Sequence, residues 1–132
     1  MTPPLDRAFD SLDPVFRPLA MALVARCVEA GIQVCIVNTR RTAAQQQDAI
    51  ARGVSWVQRS KHQDGLAIDL CPYDVWQLNG SDKLMWEADQ PVWQQMGAIG
   101  ERLGLRWGGR WQQRDLGHFE YVPPTGGSHV SV

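Results

Sequence analysis

Ser60-Lys61-His62-Gln63-Asp64-Gly65-Leu66-Ala67-Ile68-Asp69 and, near the C-terminus, Asp115-Leu116-Gly117-His118-Phe119-Glu120 gather the histidines and carboxylates of this chain that could do chemistry together. Two histidines and one carboxylate are the protein ligands of a typical catalytic zinc ion, which keeps its fourth position for water. His62, Asp69 and His118 make such a set. Asp115, three residues before His118, is then a candidate base for that water. The pattern points to a metal-dependent hydrolase.

Strand geometry explains how these spacings could converge. In a strand over Leu66 to Leu70, alternation puts Leu66, Ile68 and Leu70 on one face and Asp69 on the other. In a last strand over Gly117 to Val122, His118 and Glu120 share one face while Phe119 and Tyr121 share the opposite one. If the two strands are antiparallel neighbours, Asp69 and His118 lie opposite each other with Cβ atoms about 5 Å apart, which suits two ligands of one ion. His62 would enter from the preceding loop, where Gly65 permits a sharp approach. Cys71 shares the face of Asp69, but two strand positions span roughly 6.7 Å, too far for both to bind one ion without distortion. Its thiol is read as buried.

The remaining elements follow from caps, stops and periodicity. Asp13-Pro14 reads as a cap with proline at the first helical position, opening a helix to about Ala30. That helix would bury Phe16, Leu19, Leu23 and Cys27 and stop at Gly31. Ile32 to Val37 is β-rich. Thr42-Ala43-Ala44-Gln45 matches a capping box for a helix ending at Gly53. Residues 72–90 hold turn formers and read as an excursion. Pro91 to Leu103 carries Met96, Ile99 and Leu103 on one stripe, with Gly104 beyond its end. The expected fold class is α+β, a small and mostly antiparallel sheet with flanking helices. Residues 1–122 are expected to form one catalytic domain, and 123–132, after Pro123-Pro124, a flexible tail that includes His129.

Bulk properties exclude several classes. The 132 residues suit one domain, and 44% hydrophobic and 20% charged residues are ordinary for a globular protein. A net charge of -1 lacks the basic excess that drives nucleic-acid or anionic-membrane binding. No apolar run approaches the roughly 20 residues of a membrane span, and no secretory signal is visible at the N-terminus. Three cysteines without CxxC spacing describe neither a disulfide framework nor a zinc knuckle; they fit buried thiols in a reducing cytosol.

Ser-x-His-x-x-Gly-x-Ala-x-Asp followed by Asp-x-x-His-Phe-Glu resembles the zinc peptidases of the VanY and L-alanyl-D-glutamate peptidase group, the M15 type, which includes many phage endolysins. Arg41-Thr42 with Gln46 resembles that group's Arg-Ser/Thr-x-x-x-Gln segment. Gly104-Leu105-Arg106-Trp107-Gly108-Gly109-Arg110-Trp111 resembles the Gly-Leu-x-Trp-Gly-Gly-Asp-Trp stretch of its endolysin branch. The four segments keep the family's order over residues 37–122. Three features depart from it: Gly117 stands where that branch has Pro, Arg110 where it has Asp, and the segment between Gly53 and Ser60 carries Trp56 and Arg59 in place of small residues.

The resemblance implies a hedgehog/D-Ala-D-Ala peptidase-like fold with a single zinc site at His62, Asp69 and His118. Asp115 would be general base and then general acid, with Glu120 as rival base or, preferred, as support for a ligand or partner of an arginine. Arg41 rather than Arg40 would hold a substrate carboxylate or the developing oxyanion. Gln46, Ser60 and Trp107 would contact the peptide, although Gln46 could equally be a solvated helix residue, Ser60 a loop cap, and Trp107 and Trp111 plain core. The implied activity is zinc-dependent cleavage of the L-alanyl-D-glutamate bond in the stem peptide of bacterial peptidoglycan, by a monomer acting in phage lysis. Such an enzyme would accumulate in the host cytoplasm and reach the wall after membrane permeabilisation by a holin. A D,D-carboxypeptidase or dipeptidase of the same group shares the site, though those branches more often show Glu-x-x-His. A non-catalytic wall-binding module with structural zinc is the reading from another class.

Overall fold

A computed structural model describes residues 5–53, 55, 60–73 and 84–124. The expected excursion falls partly on residues 74–83, and Trp56, Arg59, His129 and most of the tail expected over 123–132 also lie outside the described residues.

The chain forms α1 (Arg17–Glu29), β1 (Val34–Asn38), α2 (Ala43–Ala51), β2 (Ala67–Pro72), α3 (Val92–Arg102), β3 (Arg106–Trp107) and β4 (His118–Glu120). The four strands make one sheet in the order β1-β2-β4-β3, antiparallel throughout. The α+β class therefore stands.

Most element boundaries follow local chemistry. Thr42 and Gln45 close a reciprocal capping box at the start of α2. Gly31, Gly53 and Gly104 take positive φ after α1, α2 and α3, as helix stops require. The start of α1 differs from the sequence reading. Asp13 accepts the Val15 N–H at 2.9 Å, but the chain turns once before regular helix begins at Arg17, with Pro18 in the first turn. β3 carries no readable periodicity, because it is only two residues long.

One face of the sheet makes the core. Ile68 pairs with Phe119 and Phe119 with Trp107 across β2, β4 and β3. These join Phe16, Leu23, Cys27, Trp93 and Met96 in one buried cluster between sheet and helices. Leu19, Ile99 and Leu103 pack at its margin, only partly buried. The helix α3 can approach this closely because it presents glycine: a Cβ on Gly97 would lie 2.4 Å from the Trp107 ring, and one on Gly100 would lie 2.5 Å from Phe119. Register partners one residue away, Asp69 and His118, project to the opposite face.

Gly97→Ala sets two effects in opposition. Helix propensity favours alanine by about 1 kcal/mol, whereas overpacking against an immobile ring costs about 1–3 kcal/mol. The variant is expected to be less stable than the parent in urea unfolding; equal or greater stability would show that Trp107 yields easily.

Candidate metal centre

His62, Asp69 and His118 converge, each offering one ligand atom, with all three atoms within 4.8 Å of one another. Asp69 and His118 are direct register partners on β2 and β4, as alternation requires. His62 arrives on a short 3-10 turn (Lys61–Asp64) closed by Gly65 in the left-handed region at φ 72. The Gly65 carbonyl accepts the Asp13 N–H at 3.0 Å, and a Cβ on Gly65 would meet that nitrogen at 2.7 Å, so a side chain there would push the turn off its support.

The hydrogen bonds determine which ring atoms are free. His62 Nδ1 lies 2.6 Å from the Thr39 carbonyl, so it carries the proton and leaves the Nε2 lone pair facing Asp69. His118 Nε2 lies 2.8 Å from Glu120 Oε1, leaving Nδ1 inward. His62 Nε2 stands 3.1 Å and His118 Nδ1 3.3 Å from the same atom, Asp69 Oδ1. Ligands roughly 2.1 Å from a tetrahedral zinc ion stand about 3.4 Å apart, so the cluster has the spacing of a zinc ligand set. His62 Nε2 and Asp69 Oδ1 are also buried without a hydrogen-bond partner among the described residues, as metal-facing lone pairs would be. The donor set fits zinc.

Burial opposes the charge on Asp69, yet the two imidazoles hold its carboxyl well below the usual range. Burial likewise disfavours the His118 imidazolium, but Asp69 and Glu120 push it up to about 10. Asp115, whose side chain is 41% exposed, has Oδ2 3.9 Å from His118 Nδ1. Its carboxyl is raised, chiefly by burial and then by the Asp69 charge. Asp115 is placed by backbone bonds, donating to Gly108 O at 2.9 Å and accepting from His118 N at 3.1 Å. Gly108 allows that approach, since a Cβ there would lie 2.4 Å from the Asp115 carbonyl.

The other sequence-predicted residues divide clearly. Arg41 reaches the site, with its guanidinium 3.7 Å from Asp69 Oδ2 and donating to Gln46 Oε1 at 2.6 Å, while Arg40 turns away to Ser11 O. Glu120 is buried between His118 and Arg106, whose guanidinium lies 3.5 Å away. It therefore touches the ring nitrogen of His118 that faces away from the cluster. The three residues expected to contact the peptide each have partners within the protein. Gln46 is 1% exposed and spans Arg41 and Ser55, so it positions the arginine. Ser60 is a buried cap that accepts the His62 N–H in a reciprocal box with Gln63. Trp107 is 1% exposed, and its indole donates to Leu116 O at 2.7 Å, which places it in the core. Trp111, not Trp107, stands against the cluster, its ring centroid 5.0 Å from that of His118. An aromatic at that position was visible in the sequence, but nothing there told its surroundings from those of Trp107. Cys71 stays in the core cluster, and Arg110 pairs with Glu101 on α3 at 3.0 Å.

A sequence profile described as D-alanyl-D-alanine carboxypeptidase, of peptidase family M15, matches residues 53–121, just over half of the chain. The chain belongs to peptidase family M15. It is thus a metallopeptidase, which sets aside the wall-binding module without catalysis. Peptidoglycan L-alanyl-D-glutamate endopeptidase CwlK of Bacillus subtilis is 28% identical over 129 residues, covering 85% of this chain and 74% of CwlK. Among solved structures, the L-Ala D-Glu endopeptidase ChiX of Serratia marcescens superposes with a TM-score of 0.66 at 20% identity, covering 86% of this chain and 83% of ChiX. A vancomycin-resistance D,D-pentapeptidase VanY with Zn(II) gives 0.58 at 18% identity, covering 85% and 73%. These two structures share the fold of this M15 peptidase.

The chelator-treated M15 peptidase should show a definite pH signature. His118 is raised above its ordinary 6.5 to about 10, so its stabilising contribution is full below pH 6.5 and is lost as pH rises towards 10. Cys27, raised by burial from 9.0 to about 11, adds the same sign only above pH 9. Unfolding free energy of the metal-free protein is expected to fall between pH 6.5 and 9 by up to about 1.4 kcal/mol per unit. A flat profile over that window would contradict the charge arrangement drawn here.

Proposed function

We propose that this protein is a zinc-dependent peptidoglycan endopeptidase that cuts the bond between L-alanine and D-glutamate in the stem peptide. The observation that carries the reading is a half-exposed carboxylate, Asp115, beside a buried His-Asp-His cluster whose outward ring nitrogens are both tied. The names of CwlK and ChiX support the choice of bond. The Asp-x-x-His spacing of Asp115 and His118 supports the same branch. A second reading, D,D-carboxypeptidase, is favoured by the description of the matched profile itself.

A zinc ion held by His62 Nε2, Asp69 Oδ1 and His118 Nδ1 would lower the pKa of a water molecule and polarise the scissile carbonyl. Asp115 takes the proton of the attacking water as oxygen bonds to the L-alanyl carbonyl carbon. It then gives that proton to the D-glutamate nitrogen as the C–N bond breaks. With Oδ2 3.9 Å from His118 Nδ1 and its side chain 41% exposed, Asp115 can reach both the attacking water and the leaving nitrogen, which suits a group that must accept and then donate. Arg41, steadied by Gln46, offers fixed donors to a substrate carboxylate or to the developing oxyanion. The Trp111 ring beside His118 supplies an apolar wall for the peptide.

The setting we propose is phage lysis, with a monomer held in the host cytoplasm until a holin opens the membrane. Co-expression tests it: turbidity should collapse only when protein and holin are produced together, and lysis without the holin would remove this setting.

Purified peptidoglycan digested by the zinc-loaded protein should show new amino termini at D-glutamate by mass spectrometry, absent after chelation. Release of terminal D-alanine would instead establish the carboxypeptidase reading. Asp115→Ala should keep zinc and fold yet lose turnover by a factor on the order of 100 or more; near-parental activity would take Asp115 out of the mechanism. His118→Ala is expected to lose zinc affinity, and unchanged zinc content would undo the ligand set.

A further inference from the structure

Pairing between β1 and β2 is regular from Val34↔Pro72 to Ile36↔Leu70, then shifts by one residue so that Asn38 lies opposite Asp69. Without this bulge Val37 would hold that place. The row across the sheet therefore reads Asn38, Asp69, His118, and directly opposed residues put their side chains on one face with Cβ atoms about 4.5–5.5 Å apart. Bulges beside active sites serve to re-aim a side chain in this way.

Asn38 is 2% exposed, and neither Oδ1 nor Nδ2 has a hydrogen-bond partner among the described residues. Leaving a buried amide unpaired is destabilising, so its presence needs a reason. The rest of the cluster suggests one. His62 is tied from behind by the Thr39 carbonyl and His118 by Glu120. Asp69 lacks such a tie among the described residues: Oδ1 faces both imidazoles, and the nearest described cation to Oδ2 is the Arg41 guanidinium at 3.7 Å, beyond hydrogen-bond distance. Asn38, Arg41 and Asp69 line one cavity of about 110 Å3, which leaves the carboxylate and the guanidinium room to shift.

We infer that Asn38 is a positioning residue for the metal centre, donating from Nδ2 to the outer carboxylate oxygen of Asp69 once zinc engages the inner one. This rests on the zinc reading above. It also frees Arg41, which the proposed mechanism needs for the substrate, from neutralising the outer oxygen of Asp69. Ligating carboxylates are commonly held by such a hydrogen bond, and removing one typically weakens metal binding 10–100-fold.

Asn38→Leu keeps the shape and removes the donor. Chelator-competition titration should give a zinc Kd raised 10–100-fold, while the metal-free variant unfolds in urea at the parental midpoint or above it, because the unpaired amide is gone. A merely structural role would move stability and leave the Kd alone; a Kd within threefold of the parent overturns the inference. Should the variant not fold, the 15N-labelled parent decides: zinc should shift the Asn38 side-chain amide protons and slow their exchange, and unchanged signals overturn it. A parent that binds no zinc ends both this inference and the metal reading, whereas equal, tight binding by parent and variant ends this inference alone.

Discussion

The pairing of β2 with β4 governs everything else in this molecule. One antiparallel register places Ile68 opposite Phe119 on the face toward the helices, and Asp69 opposite His118 on the other. Because strand side chains alternate with a period of two, a slip of one residue would turn Asp69 and His118 into the core and expose both apolar residues. Core and candidate metal centre are thus specified by the same hydrogen bonds. The burial that stabilises the sheet enforces the geometry of the site without any separate device.

That face collects charge in a small buried volume, which would be costly if its groups were unpaired. The arrangement offsets the cost by ordering opposite charges in a chain: Arg106, Glu120, His118, Asp69 and Arg41 follow one another at contact distances. Each imidazole presents one nitrogen inward because the other is engaged from behind. The bulge in β1 extends the row to Asn38, so three strands contribute to a single line of polar side chains. Asp115 lies at the edge of this line and remains half-exposed, the position a group needs if it exchanges protons with a substrate.

Close packing supports the line from the other face. Gly97 and Gly100 let α3 rest directly on Trp107 and Phe119, and Gly109 also lies against the Trp107 ring. Gly108 allows Asp115 to approach, and a Cβ on Gly117 would lie 2.3 Å from the Leu70 carbonyl. The glycine-rich stretch around Trp107 therefore works as packing and placement around the site. Arg110, where the endolysin branch has an acid, has found its own partner in Glu101 on α3.

Sequence by itself determined what depends on local chemistry and on alternation. The capping box at Thr42, the helix stops at glycine, the stripe on α3 and the opposed faces of Asp69 and Ile68 are set by neighbours within a few residues. Convergence of His62, Asp69 and His118 could be argued from two strand periods and one assumption of adjacency, which the register satisfies. Tertiary structure alone decided the rest, because pairing and packing involve partners far apart in the chain. The two-residue β3 exists only because β4 pairs with it. Gln46 and Ser60 have the composition of surface residues, but their partners, Arg41 and His62, turn them inward. Trp107 and Trp111 look alike in sequence; one is sealed under α3 and the other stands against His118. The bulge that exchanges Val37 for Asn38 is a property of two strands together, so no reading of either strand alone could have placed that amide in one row with Asp69 and His118.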